Sequence, residues 1–272
     1  MLYILVVVYN RSLQNSETLK GLIESSPLLK SINALVVVWD NSENASLGSD
    51  DITLLKQKFF FKYHHCPSNR PLSYVYNEII EKFIISAKYQ YLVVLDHDSK
   101  ILPGYFNELS NVIESNSDLD IVLPVVKNNN IIISPARLFF VKGNYFKKIE
   151  SGIYKGKLLA INSGMAISRS FIEKNNFRYD TRLQSYGTDN YIMNFANNKG
   201  AKYFIMNNLF EHGYSFYDSI DFKKKAEVFS QIKRANRIAF SLSFTQAIMI
   251  TIYNFVSSFK NAFKHRSLRF FS

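Results

Sequence analysis

The sequence predicts an α/β fold in which helices flank a mostly parallel β-sheet, and from about residue 222 a basic amphipathic helical tail follows. Apolar runs rich in β-branched residues are typical of buried strands, and we identify four: 2–8, 34–39, 91–95 and 120–125. Segments with helical spacing separate them, at 16–25, about 72–87 and 103–115. This alternation is typical of a parallel sheet covered by helices.

The second half of the chain is less regular. We predict strands at 131–141 and 158–168, a helix at 188–199 and a strand at 201–206. Earlier in the chain, His64-His65-Cys66 is interpreted as the end of a further strand. A soft-metal site there would need a partner cysteine, and the chain has a single cysteine.

Composition restricts the class of protein. With 272 residues, of which 47% are hydrophobic and 15% aromatic, the chain has enough apolar surface for one large folded domain and is not expected to be disordered. A single cysteine excludes an intrachain disulfide framework and fits a reducing compartment. The N-terminal apolar run has no basic residues before it, so we expect a first strand and not a signal peptide.

Positive charge is concentrated at the C-terminal end. The net charge is +11, and residues 222–272 contain ten Lys and Arg against one acid, Glu227, which leaves residues 1–221 nearly neutral. A nearly neutral body argues against a protein that coats nucleic acid. We therefore predict a domain at 1–221 and, at 222–272, a tail whose partner is an anionic membrane surface.

Polar residues follow three of the predicted strands. These segments are Tyr9-Asn10-Arg11, Asp40-Asn41-Ser42 and Asp96-His97-Asp98. Open α/β sheets bind their ligands at the carboxyl ends of the strands, so one edge of the sheet is the predicted binding site.

The segment Asp96-His97-Asp98 is the most informative of the three. Two carboxylates at a strand end can hold a hard divalent cation, which usually also contacts phosphate oxygens. Simple loop capping before the next helix is the alternative. A phosphatase with an aspartyl nucleophile is disfavoured because the motif comes late and Ser-Lys follows it. A nucleotidyltransferase would need a glycine-rich loop after the first strand, and an EF-hand is excluded by Lys100.

Several segments together resemble family 2 glycosyltransferases with the GT-A fold, over about residues 1–215. They are Val6–Arg11, Val37–Ser42, Asn69–Asn77, Asp96-His97-Asp98, Asn162–Ile167, Tyr186–Asp189 and the later His212. Pro71, Val75 and Ile79 depart from the small residues of the family's pattern, and Thr188 stands where the family usually has Glu.

The resemblance implies a nucleotide-diphosphate sugar donor and a bound Mg²⁺ or Mn²⁺. Asp98 would be the principal metal ligand, Asp96 would lie near the ribose or reach the metal, and His212 would contact the diphosphate or the metal. The implied nucleotide-contacting residues are Asn10, Asp40, Asn69 and Asn77, with Asp96. A turn Asp at a strand end remains the alternative for Asp40.

Asp189 is the expected catalytic base of such an enzyme. An acceptor hydroxyl is a poor nucleophile and needs a base within hydrogen-bond reach. Displacement with such a base inverts the anomeric configuration. The alternative is a helix cap, because Thr188-Asp189 precedes a predicted helix.

Leu95–Ser99 together with Arg234–Arg237 most resembles the rhamnosyltransferase-type branch, which transfers deoxyhexoses to lipid-linked bacterial polysaccharide. The implied acceptor is a lipid-linked saccharide, and the implied location is the cytoplasmic face of the cell membrane. The competing hypothesis is a membrane-associated interaction protein that keeps the GT-A fold without catalysis.

The tail carries an apolar stripe at steps of three or four residues, from Phe240 to Phe263. The uncharged segment 239–259 contains too many polar residues for confident insertion, so we expect it to lie in the membrane surface. The alternative is that the stripe packs on the domain or on a second subunit.

Overall fold

The computed structural model describes residues 1–86, 88–102, 104–128, 131–211 and 222–271. Its strands are β1 Leu2–Val8, β2 Leu35–Asp40, β3 Phe60–His65, β4 Tyr91–Asp96, β5 Ile121–Asn128, β6 Ile131–Ser134, β7 Ala136–Phe139, β8 Lys142–Tyr145, β9 Gly152–Tyr154, β10 Leu158–Leu159, β11 Met165–Ser168 and β12 Tyr203–Glu211.

Helices pack on both faces of the main sheet. They are α1 Glu17–Glu24, α2 Ser26–Ser31, α3 Ser49–Lys58, α4 Leu72–Ile85, α5 Gly104–Ser115, α6 Arg169–Lys174, α7 Thr188–Asn198, α8 Phe222–Ala239 and α9 Phe244–His265, with short 3-10 turns at Leu13–Asn15 and Leu268–Phe271.

The main sheet has the order β3-β2-β1-β4-β11-β5-β12-β9, with β6 also paired to β5. Strands β1 to β4 are mutually parallel, β12 is parallel to β5, and β11 runs antiparallel between β4 and β5. This confirms the predicted mostly parallel sheet. A separate small sheet pairs β10, β7 and β8.

Alternate residues of each strand are buried on opposite faces of the sheet. On β1, Tyr3 and Leu5 pack toward α4, α6 and α7, whereas Ile4 and Val6 pack toward α1, α3 and α5. Because successive side chains of a strand point to opposite faces, a continuous apolar run indicates a strand that is covered on both sides.

Register brings the polar strand ends to one edge. Val8 on β1 pairs with Asp40 on β2, and Val7 pairs with Asp96 on β4. The carboxyl ends of these three strands are therefore level, as the sequence predicts.

Several boundaries differ from the prediction. Short α2 and α3 were not predicted. The predicted strand 131–141 is divided into β6 and β7, and the predicted strand 158–168 into β10 and β11. The second division occurs because 160–164 leaves the sheet as a loop, with Gly164 at φ +78°. The helix predicted at 103–115 is α5, which begins at Gly104. Its predicted first residue, Pro103, lies outside the described residues.

The tail forms two helices, α8 and α9, with a break between them. Ser243 caps α9 by accepting the N–H of Gln246 at 3.3 Å, and Phe240, predicted as the first residue of the stripe, is buried beside Val141 and Ile250. No helix in the described parts of the chain is long and apolar enough to cross a membrane.

Candidate active site

The loop after β4 is held in place by the start of α1. The buried Thr18 hydroxyl donates to the carbonyl of Asp96 and accepts the N–H of Ser99 at 3.0 Å. Ser16 donates to the carbonyl of His97 at 2.7 Å. These contacts fix the backbone between the two carboxylates of the motif, and sequence reasoning missed both α1 residues.

Asp96 and Asp98 differ in exposure. Asp96 is half-buried and its Oδ2 accepts the Ser163 hydroxyl at 2.5 Å, whereas Asp98 is exposed. Oxygen donors at a strand end, one of them open to solvent, suit a hard divalent cation that takes its other ligands from water and phosphate. No group of three or more His, Cys, Asp and Glu side chains comes together in the described part of the chain, and His212 lies outside it.

Asp40 is fully buried and organises the loop that follows β2. Its carboxylate accepts both the N–H and the hydroxyl of Ser42, the N–H and the hydroxyl of Ser46, and the phenol of Tyr63, at 2.5–3.2 Å. Burial opposes ionisation, but the hydrogen bonds from Ser42, Tyr63 and Ser46 outweigh it, and the pKa of Asp40 is lowered. The geometry is that of the turn Asp, the alternative weighed for this residue.

Asn41, which sequence reasoning did not select, connects the carboxyl end of β2 to the 69–70 loop. Its Nδ2 donates to the Oδ1 of Asn69 at 3.2 Å and to the carbonyl of Arg70 at 2.7 Å, and its Oδ1 accepts the Arg70 N–H at 2.9 Å. Asn69 is exposed and has a positive φ of 41°. Asn10 and Asn69, two of the predicted nucleotide-contacting residues, are thus both exposed and have a positive φ.

Asn10 is held from the same side. Its N–H donates to the Ser42 hydroxyl at 2.7 Å, and its φ is +50°. Asp40 therefore supports Asn10 through Ser42. Asp40 is buried and holds the loop after β2, whereas Asn10 is exposed.

Asn77 is bound to the backbone of a loop late in the chain. Its side chain exchanges two hydrogen bonds with the backbone of Tyr179, at 2.8 and 2.9 Å. Both ends of the amide are used to attach α4 to the 179–183 loop. The structure thus gives Asn77 a structural role, which the sequence analysis did not predict.

Asp189 lies in the first turn of α7, after Gly187 in the left-handed region. Its pKa is raised to about 6, chiefly by burial and to a smaller extent by the negative charge of Asp96, while the N–H of Asn190, which donates at 2.8 Å, acts in the opposite direction. Asp189 and Asp96 are therefore close enough to repel each other. A carboxylate whose pKa is near neutral is suited to accept a proton.

The loop 160–164 connects these two carboxylates. Ser163 donates to Asp96, and the adjacent Asn162 donates through Nδ2 to the Thr188 hydroxyl at 3.0 Å. The Oδ1 of Asn162 and the phenol oxygen of Tyr179 are buried and have no hydrogen-bond partner among the described residues. Buried polar atoms of this kind are commonly completed by a ligand or water.

Gly164 is the residue that lets this loop return to the sheet. It has φ +78°, and a Cβ there would overlap the ring of Phe210 and lie 2.9 Å from the side chain of Pro124. Its N–H donates to the carbonyl of Val94 at 2.9 Å, and its carbonyl accepts the Tyr105 phenol at 2.8 Å. Only glycine fits both the conformation and the space.

A cavity of about 310 Å³ is lined by the loop that precedes Asp189. It lies between the 182–186 loop and α8, and its polar lining includes Arg182, Gln184, Gln231 and Arg234.

Comparisons with known proteins support the fold. No protein-family profile matches the sequence, and no curated protein matches it. Among solved structures, S. aureus TarS matches with a TM-score of 0.54 and 12% identity, over 90% of this chain and 44% of that one. TarS 1–349 in complex with UDP-GlcNAc gives 0.54 and 12%, over 92% and 70%. GalNAc-T7 with UDP, GalNAc and Mn²⁺ gives 0.59 and 17%, over 79% and 44%.

These neighbours are GT-A glycosyltransferases. The chain has the GT-A fold. It spans less than half of the length of TarS and of GalNAc-T7. Of the residues selected from the sequence, this GT-A fold places Asp96 and Asp189 close enough for their charges to interact, and it places Asn10 and Asn69 on turns that contact the adjacent residues Ser42 and Asn41.

Proposed function

We propose that this protein is an inverting glycosyltransferase that moves a sugar from a nucleotide-diphosphate donor to an acceptor hydroxyl. The supporting observation is the pair of contacts made by Asn162 and Ser163. Ser163 bonds the carboxylate of Asp96 and Asn162 bonds Thr188, the residue before Asp189. The 160–164 loop thereby sets the spacing between Asp96, on the donor side, and Asp189, the proposed base.

Asp96 and Asp98 hold Mg²⁺ or Mn²⁺ in this proposal, and when bound the metal neutralises negative charge that develops on the leaving diphosphate. GalNAc-T7 was solved with UDP and Mn²⁺, which supports a divalent metal with such a donor. His212 is proposed as a further ligand. Asn10 and Asn69, exposed at the same edge, bind the nucleotide part of the donor.

Asp189 accepts the proton of the acceptor hydroxyl. The adjacent Asn162 Oδ1 and Tyr179 phenol are available to orient sugar hydroxyls, because both atoms are buried and lack a partner within the described residues. Attack from the side of Asp189 on the carbon that faces the leaving diphosphate inverts its configuration.

The finer proposal is a deoxyhexose such as rhamnose as the transferred sugar and a lipid-linked saccharide as the acceptor, with the protein on the cytoplasmic face of the cell membrane. It is supported by the similarity of Leu95–Ser99 and Arg234–Arg237 to the rhamnosyltransferase-type branch. In the structure Arg234 lines the cavity beside the base-bearing loop, which suits an acceptor that carries a phosphate.

Asp189→Asn is the first test of the mechanism. We expect sugar transfer to fall at least about 100-fold, because a positioned base contributes roughly that much or more, while donor binding stays unchanged. Transfer is measured with the purified full chain, and binding by calorimetry. The matched control is Asp50→Asn, an exposed carboxylate in the first turn of α3, and it should keep full activity. An Asp189→Asn variant with more than about a tenth of the activity would remove Asp189 from the role of base.

The donor is identified by thermal shift with UDP-, dTDP- and GDP-sugars, each with and without Mn²⁺. A ligand that binds the folded state raises the melting temperature. We expect a metal-dependent shift with one nucleotide, lost in Asp98→Ala. Metal-dependent binding of a nucleotide sugar with no transfer to any saccharide acceptor would instead favour the inactive interaction protein.

A further inference from the structure

Helix α9 buries a narrow, partly polar face and exposes most of its large apolar side chains. Facing inward are Ile250, Asn254, Ser258 and Ala262. Facing solvent is a stripe, here called the α9 stripe, which consists of Phe244, Ile248, Ile252, Phe255, Val256, Phe259 and Phe263, each between 46% and 83% exposed. A helix that packs on a soluble domain normally does the reverse. The described residues of the chain therefore leave most of this stripe uncovered, although Phe255 makes an edge-to-face contact with Phe271, with ring centroids 6.1 Å apart.

Specific contacts fix the rotation of α9. The Lys233 ammonium on α8 donates to the Ser258 hydroxyl at 3.1 Å and to the carbonyl of Phe270 at 2.8 Å. The Asn254 amide donates to the carbonyl of Lys233 at 3.2 Å. Because these polar groups are satisfied only in this orientation, turning the stripe inward would leave them buried without partners.

Charge selects the kind of surface that covers the stripe. Lys260 and Lys264 each follow a stripe phenylalanine, so they lie on its flank, about 100° around the helix. Both are exposed, and Arg266 directly after the helix is exposed as well. A second copy of this chain would bring the same cations together, whereas a surface of anionic headgroups would attract them.

Helix α9 is also tied to the base-bearing helix. The buried Asn194 on α7 donates to the carbonyl of Ala239 at 2.9 Å and exchanges hydrogen bonds with the Gln246 amide at 2.8 and 3.1 Å. Asn190, next to Asp189, donates to the Asn236 amide oxygen at 3.0 Å. A surface that binds α9 therefore also orients α7.

We propose that the α9 stripe docks the protein on an anionic phospholipid bilayer, with α9 lying in the headgroup region and Lys260 and Lys264 against lipid phosphates. Docking in this way holds α7, which carries Asp189, at a constant distance from the bilayer, because α7 is hydrogen-bonded to α9. The proposal does not depend on the transferase activity, since it rests on the exposure and charge of α9 alone.

The test is co-sedimentation of the full chain with phosphatidylcholine vesicles that contain or lack phosphatidylglycerol. We expect binding to the anionic vesicles. The double variant Phe255→Ser, Phe259→Ser should bind them at least about tenfold more weakly, because two large apolar contacts are lost. The double control Phe60→Ser, Ile85→Ser removes side chains that are 56% and 80% exposed elsewhere on the molecule, and it should bind like the wild type.

The charge contribution is tested with Lys260→Gln, Lys264→Gln. This pair should weaken binding to anionic vesicles about 30-fold, at roughly 1 kcal/mol per lysine, and leave the residual binding to phosphatidylcholine unchanged. The exposed lysines Lys30 and Lys56 provide the matched control pair. Melting curves confirm that each variant is folded.

Two results would overturn the proposal. One is a full chain that sediments equally with vesicles that contain and that lack phosphatidylglycerol, or a folded Phe255→Ser, Phe259→Ser variant that still binds the anionic vesicles like the wild type. The other is a dimer in sedimentation velocity that dissociates in Phe255→Ser, Phe259→Ser, because a second copy would then be the occupant of the stripe.

Discussion

Asn162 and Ser163 are neighbours in the chain, yet Ser163 contacts Asp96 whereas Asn162 contacts Thr188, the residue before Asp189. At the scale of single residues, this division of contacts explains why the site is a unit. By contrast, the hydrogen bonds of Asp40 and Asn77 are made inside the protein. Residue type and position identified these side chains, but only their partners show whether they support the site or face it.

The titration of Asp189 gives a prediction for the pH profile. Its pKa is raised to about 6, chiefly by burial, and a protonated carboxyl cannot accept a proton. We expect kcat/KM to fall about tenfold for each pH unit below 6 and to be level above it. Donor binding, followed by calorimetry across the same range, serves as the control. A profile without an acid limb would contradict this assignment.

The same shift has a consequence for stability. Because the folded-state pKa lies above the usual value of 3.8, ionisation of Asp189 costs stability progressively as the pH rises from about 4 to about 6. Asp189→Asn should therefore melt at a higher temperature than the wild type at neutral pH, and this gain should vanish near pH 4.

Gly164→Ala is predicted to be among the most destabilising single changes in the chain. Its positive φ and the overlap with Phe210 together should cost at least about 3 kcal/mol of the free energy of unfolding, measured in urea. Gly200 also has a positive φ, +65°, but no atom lies within 4 Å of the place that a Cβ would take there. Gly200→Ala should cost only about 1 kcal/mol, and equal losses in both variants would refute the steric explanation.

At the scale of elements, the conformation of one segment is set by another that is distant in sequence. The 96–99 loop is bound by Ser16 and Thr18 at the start of α1, about eighty residues earlier. Likewise α9 takes its orientation from Lys233 on α8. Hydropathy predicts which helix is amphipathic, but such contacts decide which side faces inward.

Thr18→Val tests the first of these links. Valine keeps the shape but loses the hydroxyl that holds the carbonyl of Asp96 and the N–H of Ser99. We expect metal-dependent donor affinity to fall roughly tenfold. The variant should still fold, with a lower melting temperature than the wild type, because the buried Ser99 N–H loses its partner. Thr53→Val removes a similar hydroxyl, which donates to the carbonyl of Ser49 on the surface of α3, and it should leave the affinity unchanged.

At the scale of the whole molecule, the tail is packed against α7. A Cβ at Gly187 would lie 2.8 Å from the Ala235 methyl group, and Asn194 and Asn190 both bond tail residues. The domain boundary between residues 221 and 222 stays a prediction, but α7 and α8 share one interface.

Truncation after residue 221 tests that interface. We expect the shortened chain to unfold at lower urea concentration than the full chain, because buried Asn194 would lose its partners and apolar surface on α7 would be exposed. Truncation after residue 267, which removes only the final 3-10 turn, is the milder comparison. Equal stability of 1–221 and the full chain would show that the tail is a separate unit.

The sequence by itself determined the elements and the edge where the site lies. Continuous β-branched runs identify β1, β2 and β4 because strands buried on both faces must be apolar throughout, and their parallel order brings Asn10, Asp40 and Asp96 level. Hydrogen-bond partners were decided by tertiary structure. The roles of Asn41, Thr18 and Asn162 and the outward rotation of α9 depend on groups far away in the chain, and no local pattern encodes such distances.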